Sequence, residues 1–403
     1  MTAPGSSTPR WVVTAIMVLV TTATIAGSFV LKNRCTYQPW DGRQWSQLCA
    51  NDLLIVYSNE QYQVQHPFPP PTVEYPPVIV FYVAAARELG ASAGGFFAAN
   101  AIGIFLAGVG CVIALRLLGA GRRLWLFALS PPLCFYALQN WDLLAICVAL
   151  FALWAVSRSK YFAAGVLIGI GAATKLFPAF LLPGVLLMAW TPAWRRDIRR
   201  TLTGSLLGFG VPNLVLYALS SSAWRYFWTF QSERFPNPET SWFMVFRHLR
   251  GGPFVDGTWA RNYPSVVNLA SITLFGVIAL WLLNREMQRP ERRSIELAFA
   301  LTLAFLLTAK VFSPQYMLWL VPYLVLLAVP WRAIALFFIV DIAVLLVTNH
   351  YFLSIAQGGN WNAWLNALEV TVWARYLVLA WLLAWTQRTD HRRAPSLDIP
   401  KYA

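Results

Sequence analysis

The chain has 403 residues, of which 58% are hydrophobic and 12% charged, with a mean hydropathy of +0.54; soluble domains run at roughly 45–50% and about 25%. A soluble protein of this size cannot bury that much apolar surface, so soluble, disordered and fibrous classes are excluded and a multi-pass membrane protein remains. The net charge of +14 comes in short basic clusters between apolar runs, with no nucleic-acid-binding signature, so it reads as membrane topology and excludes a nucleic-acid partner.

The first apolar run, Trp11 to Leu31, follows a short polar segment containing Arg10. Thr24-Ile-Ala26 resembles a signal-peptide cleavage site, but the length of the run and the spans that follow favour an uncleaved anchor. Residues 76–119 read as two helices around Gly90–Gly95. Further apolar segments fall near 124–138, 140–157, 161–173, 176–190, 201–220, 265–284, 294–312, 315–330, 333–348 and 371–386. A span takes about 20 residues, so the shorter, proline-interrupted segments predict tilted or broken helices around a cavity. The sequence thus predicts an all-α polytopic membrane protein with about 12 spans, forming a single domain over 1–403.

Basic residues cluster at Arg116/Arg122/Arg123, Arg158/Lys160, Arg195/Arg196/Arg199/Arg200, Arg285/Arg289/Arg292/Arg293, Arg332 and the 387–403 tail. With these clusters and Arg10 in the cytoplasm, the positive-inside rule puts both termini there. Three loops, 32–75, 221–264 and 349–370, then face outward, and the uncommon polar residues converge on their side. The Pro-rich stretch 67–77 predicts a stiff extended strap, His66 to Pro71, over the first loop.

In the first loop Asp52 sits within a short apolar-aromatic stretch, where a carboxylate beside a cavity can serve as a general base. It equally suits a cap for a helix starting at Leu53, and composition alone favours the cap. Cys35 and Cys49 share this loop on the oxidising side, which makes a disulfide reasonable; closing a loop of about 15 residues contributes roughly 3 kcal/mol. Cys111, Cys134 and Cys147 read as core packing. Asp142, after Asn140-Trp141, either complements a helix dipole or walls the cavity.

Lys175 and Lys310 interrupt apolar segments, where lysine is costly and commonly faces a cavity or partner. A phosphate is their natural partner, against the alternative of snorkelling to headgroups. For Lys310, with Gln315 and Tyr316 close behind, the site reading is preferred. Trp224, Arg225, Trp228, Glu233, Arg234, Arg247, His248 and Arg250 suit sugars and lipid phosphates, and equally an interfacial belt, which residue by residue is the preferred reading. Asp341 in mid-span suggests either a pair with Arg375 or a proton path. No P-loop, GxGxxG after a strand or HExxH is present, and His66, His248, His350 and His391 lack metal-ligand spacing, so no metal and no soluble cofactor is expected.

Cys49-x-x-Asp52 with Val56-Tyr57, then Glu74-Tyr75-Pro76 opening a span, resembles the first loop of GT-C glycosyltransferases. With Ser130-Pro-Pro132, Lys175-Leu-Phe-Pro178 and Phe312-Ser-Pro-Gln-Tyr316, the chain over roughly 35–330 is similar to glycosyltransferase family 87, the polyprenol-phosphate-mannose-dependent mannosyltransferases of actinobacteria. The resemblance implies an inverting transferase that moves a sugar, mannose by default, from a polyprenyl phosphate donor to a cell-envelope glycolipid or glycan at the outer face of the plasma membrane. It implies Asp52 as the base, and Lys310, Lys175, Arg234 and His350 as groups for the donor phosphate, the last three on topology more than motif. Asp142, Asn140, Glu74, Tyr75, Gln315 and Tyr316 are then expected to line the substrate site. A transporter or flippase of a lipid-linked precursor is the alternative, suggested by Asp341 and the broken helices.

Overall fold

The structure, a computed structural model, describes residues 10–37, 40–59, 73–188, 194–250, 264–289 and 294–388. The strap expected over His66 to Pro71 and the tail beyond Arg388 lie outside the described residues. All regular structure among the described residues is helical. The first half comprises α1 (Arg10–Asn33), α2 (Arg43–Ser46), α3 (Asp52–Asn59), α4 (Pro77–Leu89), α5 (Ala93–Leu117), α6 (Leu124–Ala128), α7 (Pro131–Tyr136), α8 (Asp142–Ser157) and α9 (Tyr161–Thr174). There follow α10 (Leu181–Met188), α11 (Trp194–Leu219), α12 (Ser221–Glu233), α13 (Ser241–Arg250), α14 (Pro264–Met287), α15 (Ser294–Thr308), α16 (Val321–Leu326), α17 (Trp331–Ala356) and α18 (Trp361–Thr386).

Six of these, α1, α5, α11, α14, α17 and α18, are long and apolar enough to cross a membrane. Four shorter apolar helices, Asp142–Ser157, Tyr161–Thr174, Phe177–Leu187 and Ser294–Thr308, join them. The count of about 12 spans is not confirmed, because two expected spans are broken. Segment 124–138 splits at Ser130 and segment 315–330 becomes a 3-10 turn, Pro314–Trp319, followed by α16. In both cases the residue before the proline is extended (Ser130 ψ 138°, Ser313 ψ 145°), as the proline ring demands.

α1 packs within the bundle against α5, α6 and α7. Met17, Thr21, Ile25 and Ser28 are buried, and Thr24 Oγ1 donates to the Ala128 carbonyl at 2.7 Å. α4 and α5 form the expected pair around Gly90; a Cβ there would lie 2.2 Å from the backbone carbon of Gly95, so only glycine allows this approach. A close crossing joins α9 to α11, made by Gly165 and Gly169 on one helix and Gly204 and Gly208 on the other. A Cβ at any of the four would meet facing backbone at 2.2–2.4 Å. Such small-residue crossings let dispersion and backbone contact replace the hydrophobic drive that a bilayer lacks.

This packing sorts the helix ends. Asp142 opens α8 while Arg158 follows its other end; Lys160 precedes α9 and Lys175 follows it. Phe162, at the start of α9, lies against Gly204 of α11, so both helices start at one end and run together. Asn268 near the start of α14 lines a cavity, whereas Arg285 stands in its last turn. The arginine clusters of these helices therefore lie at the ends away from Asp142 and Lys175.

Candidate active site

A cavity of about 390 Å³ lies at that second end, between α3, α12, α14 and the turns that follow α9 and α15. Its lining includes Asp52, Glu74, Tyr75, Asn140, Lys175, Arg234, Lys310, Gln315 and Tyr316. Nine of the expected residues thus meet in one place, although they come from six separate stretches of chain.

Asp52 is the first residue of α3, but it is not the cap. Asn51 Oδ1 accepts the Leu54 N–H at 2.9 Å, taking the capping role and leaving the Asp52 carboxylate for the cavity. The Asp52 N–H is spent on the Gln139 carbonyl at 2.8 Å. Three donors converge on Oδ2: Tyr75 Oη at 2.9 Å, Asn140 Nδ2 at 3.3 Å and Gln315 Nε2 at 3.4 Å. Oδ1 accepts no hydrogen bond from the described residues. One oxygen is held and the other is left to the cavity. Burial, with the charges of Asp52 and Glu74, pushes the Tyr75 phenol well above its ordinary range, so it remains a donor.

Beneath this shell lies an ion pair. Lys175, extended at the end of α9, reaches Asp142 Oδ1 at 3.2 Å, with the two side chains 9% and 1% exposed. Trp319 Nε1 donates to the same oxygen at 2.9 Å, and Asn140 Oδ1 accepts the Asp142 N–H at 3.0 Å. Lys175 Nζ lies 4.7 Å from the centre of the Tyr75 ring and 5.9 Å from that of Tyr316, within cation–π range. Trp319 is sandwiched by Phe177 at 4.4 Å and Tyr316 at 4.0 Å.

Lys310 and Arg234 form the cationic wall. Lys310 Nζ donates to the Ser232 carbonyl at 3.2 Å, and neither side chain ion-pairs with a carboxylate among the described residues. Partial burial and then the nearby Arg234 charge bring the Lys310 amine down to about 8. Burial works against the Arg234 charge, but Tyr316, Glu74, Tyr75 and Asp52 around it outweigh that and hold it cationic. The segment carrying Lys310 is tied down by Asn237, whose N–H donates to the Lys310 carbonyl at 3.1 Å and whose Nδ2 donates to Ser313 Oγ at 3.3 Å. The lining also has an apolar part: Leu176, Phe227, Trp228, Ile272 and Phe305. Ile272 is 69% exposed and Trp228 41%, so the cavity reaches the side of the bundle.

His350 is not among the lining residues. It sits near the end of α17, exposed, its Nδ1 against the Leu346 carbonyl and its ring stacked on Trp364 at 4.6 Å. Asp341 makes no direct ion pair with Arg375; it accepts a hydrogen bond from Tyr136 at 3.1 Å, while Arg375 donates to the Glu239 carbonyl and covers the Phe312 ring. Cys35 and Cys49 are joined as a disulfide with Cα atoms 5.6 Å apart. No group of three or more His, Cys, Asp or Glu residues able to hold a metal occurs among the described residues. Residues that sequence reasoning passed over are Trp319, Gln231 and Asn268: Gln231 donates to the Glu74 carbonyl and Asn268 to that of Ser232. Nothing in an apolar run marks one tryptophan as the partner of a buried acid.

The family model for glycosyltransferase family 87 matches residues 74–314, more than half of the chain. The chain belongs to glycosyltransferase family 87. It is therefore a glycosyltransferase, and its helical bundle is consistent with the GT-C superfamily. The match takes in Glu74, Asn140, Asp142, Lys175, Arg234 and Lys310, while Asp52 and the disulfide precede it. No curated protein matches the chain.

Proposed function

We propose that this family 87 member is an inverting transferase that uses a polyprenyl phosphate sugar, with mannose as the sugar, and delivers it to a hydroxyl of an envelope glycolipid or glycan. One observation carries the reading: a carboxylate with one oxygen that accepts no hydrogen bond from the described residues shares a cavity with Lys310 and Arg234, neither of which forms a salt bridge among those residues, and that cavity opens sideways past Ile272 and Trp228. A lipid-linked donor can enter such an opening without leaving the bilayer.

In the reaction, Asp52 Oδ1 takes the proton of the acceptor hydroxyl as its oxygen bonds to the anomeric carbon. The bond from that carbon to the phosphate oxygen breaks on the opposite face. Its electron pair leaves with the polyprenyl phosphate, whose growing charge meets Lys310 and Arg234. Tyr75, Asn140 and Gln315 fix the carboxylate, and the aromatic ring set around Lys175 offers the sugar a stacking wall. The basic helix ends away from the cavity support, by the positive-inside rule, a site at the outer face with both termini inside. The family match gives the transporter alternative no support, and Asp341, one of its two grounds, is hydrogen-bonded to Tyr136.

The test is transfer from radiolabelled polyprenyl phosphate mannose to an extracted envelope-lipid pool by purified protein in proteoliposomes, with the anomeric configuration of the product read by NMR. Inversion supports the single-displacement reading. Retention, or no transfer to any acceptor, overturns it.

A further inference from the structure

Lys32 stands one residue before the end of α1, where a lysine ordinarily reaches outward to headgroups. It turns inward instead and is 3% exposed. An ammonium has three donors, and all three are used. Nζ donates to the carbonyl of Leu48 at 2.9 Å, to that of Ala50 at 3.0 Å and to Gln139 Oε1 at 2.7 Å.

These acceptors belong to the two segments that frame Asp52. Leu48 and Ala50 lead directly into it. Gln139 accepts the Asp52 N–H on its own carbonyl, and its neighbour Asn140 donates to Asp52 Oδ2. Leu48 has φ +55°, in the left-handed region that a leucine rarely adopts, at about 1–2 kcal/mol. Its carbonyl faces Lys32, while the next residue, Cys49, is fixed by the disulfide. Strain persists where the surroundings over-determine it, and it gathers at functional sites. The charge itself also needs a reason, because burying a cation is expensive and neutral donors would satisfy the same carbonyls. Asp52 lies within electrostatic range and supplies the opposite charge.

We propose that Lys32 is a positioning residue for the transfer reaction: it clamps the Leu48–Asp52 segment onto Gln139-Asn140 and thereby aims Asp52 Oδ1 into the cavity. The inference rests on the reading of Asp52 as the base. It predicts a defect in turnover, not in donor binding, because Lys32 lies outside the cavity lining.

The experiment compares wild type, Lys32→Met, Lys32→Arg and Asp52→Asn in proteoliposomes with polyprenyl phosphate mannose, alongside amide hydrogen exchange without substrate. For Lys32→Met the expected result is kcat about 10–100-fold lower, since small displacements of a catalytic group cost on that scale. The KM for donor stays within about twofold, Lys32→Arg recovers part of kcat, and exchange over residues 48–56 becomes faster. Should Lys32→Met not accumulate as folded protein, Gln139→Leu removes one acceptor and leaves the ammonium two. It then shows a smaller fall in kcat and the same direction of exchange. Wild-type exchange over 48–56 in the folded variant overturns the clamp, as does a change confined to KM. An active Asp52→Asn sinks the base reading, whereas an inactive Asp52→Asn beside an unaffected Lys32→Met sinks the clamp alone.

Discussion

Lys175→Met separates the structural part of the site from its chemistry. The Lys175–Asp142 pair is at 3.2 Å and nearly out of solvent. At an effective dielectric constant of about 20, that separation corresponds to about 5 kcal/mol of gross attraction, from which desolvation of both ions is deducted. Removing only the lysine leaves Asp142 buried with Trp319 and no counter-charge, and breaking such a pair costs about 3–5 kcal/mol. The double variant Lys175→Met with Asp142→Asn removes both charges and recovers most of that loss, because the penalty belongs to the stranded ion. Chemical unfolding in detergent micelles measures Lys175→Met, Asp142→Asn and the double variant as a cycle, with an expected coupling of about 2–3 kcal/mol. Additive single effects, or a Lys175→Met variant within about 0.5 kcal/mol of wild type, refute the reasoning. The double variant, though folded, is expected to stay inactive, since Lys175 also lines the cavity.

Further outcomes follow from the same geometry. Lys310 carries its charge below about pH 8 and loses it as pH rises through that value, so kcat/KM for the donor falls on the alkaline side; Lys310→Arg flattens that limb, and an unchanged limb contradicts the assignment. Replacing Cys35 and Cys49 by serine lowers unfolding stability by about 3 kcal/mol, readable by denaturant titration against wild type with and without reductant. Gly169→Leu pushes a side chain into the Ser205 carbonyl and prevents accumulation of folded protein, whereas Gly276→Ala, with open space at its Cβ, is neutral; size-exclusion profiles of the two decide it.

Much of the fold was legible because membrane helices are written in long apolar runs, and the gathering of Asp52, Asp142, Lys175 and Lys310 at one end of the bundle because charge is rare in them. Polar residues that interrupt such runs have few places to go, and Lys175 and Lys310 meet seven other expected residues at one cavity. Other features depend on direction, which a sequence does not carry. Lys32 and His350 both stand near helix ends, yet one turns inward to three acceptors and the other stacks on Trp364 at the surface. Asn51 rather than Asp52 caps α3, a choice between adjacent good caps that the Gln139 carbonyl decides by holding the Asp52 N–H. The count of about 12 spans is not confirmed at Ser130 and Ser313, where proline breaks an apolar run that hydropathy reads as continuous. The glycine crossing of α9 and α11 was hidden for the opposite reason, because glycines in apolar helices are common and only their facing registers matter.

The most direct measurement is transfer of labelled sugar from polyprenyl phosphate mannose by wild type and by Asp52→Asn, in the same proteoliposomes and with the same envelope-lipid acceptors. Wild type is expected to transfer the sugar and Asp52→Asn to lose transfer, with donor binding retained because Lys310 and Arg234 are untouched. Transfer by Asp52→Asn at the wild-type rate would contradict the proposed reaction, and so would a wild type that binds the donor and transfers nothing.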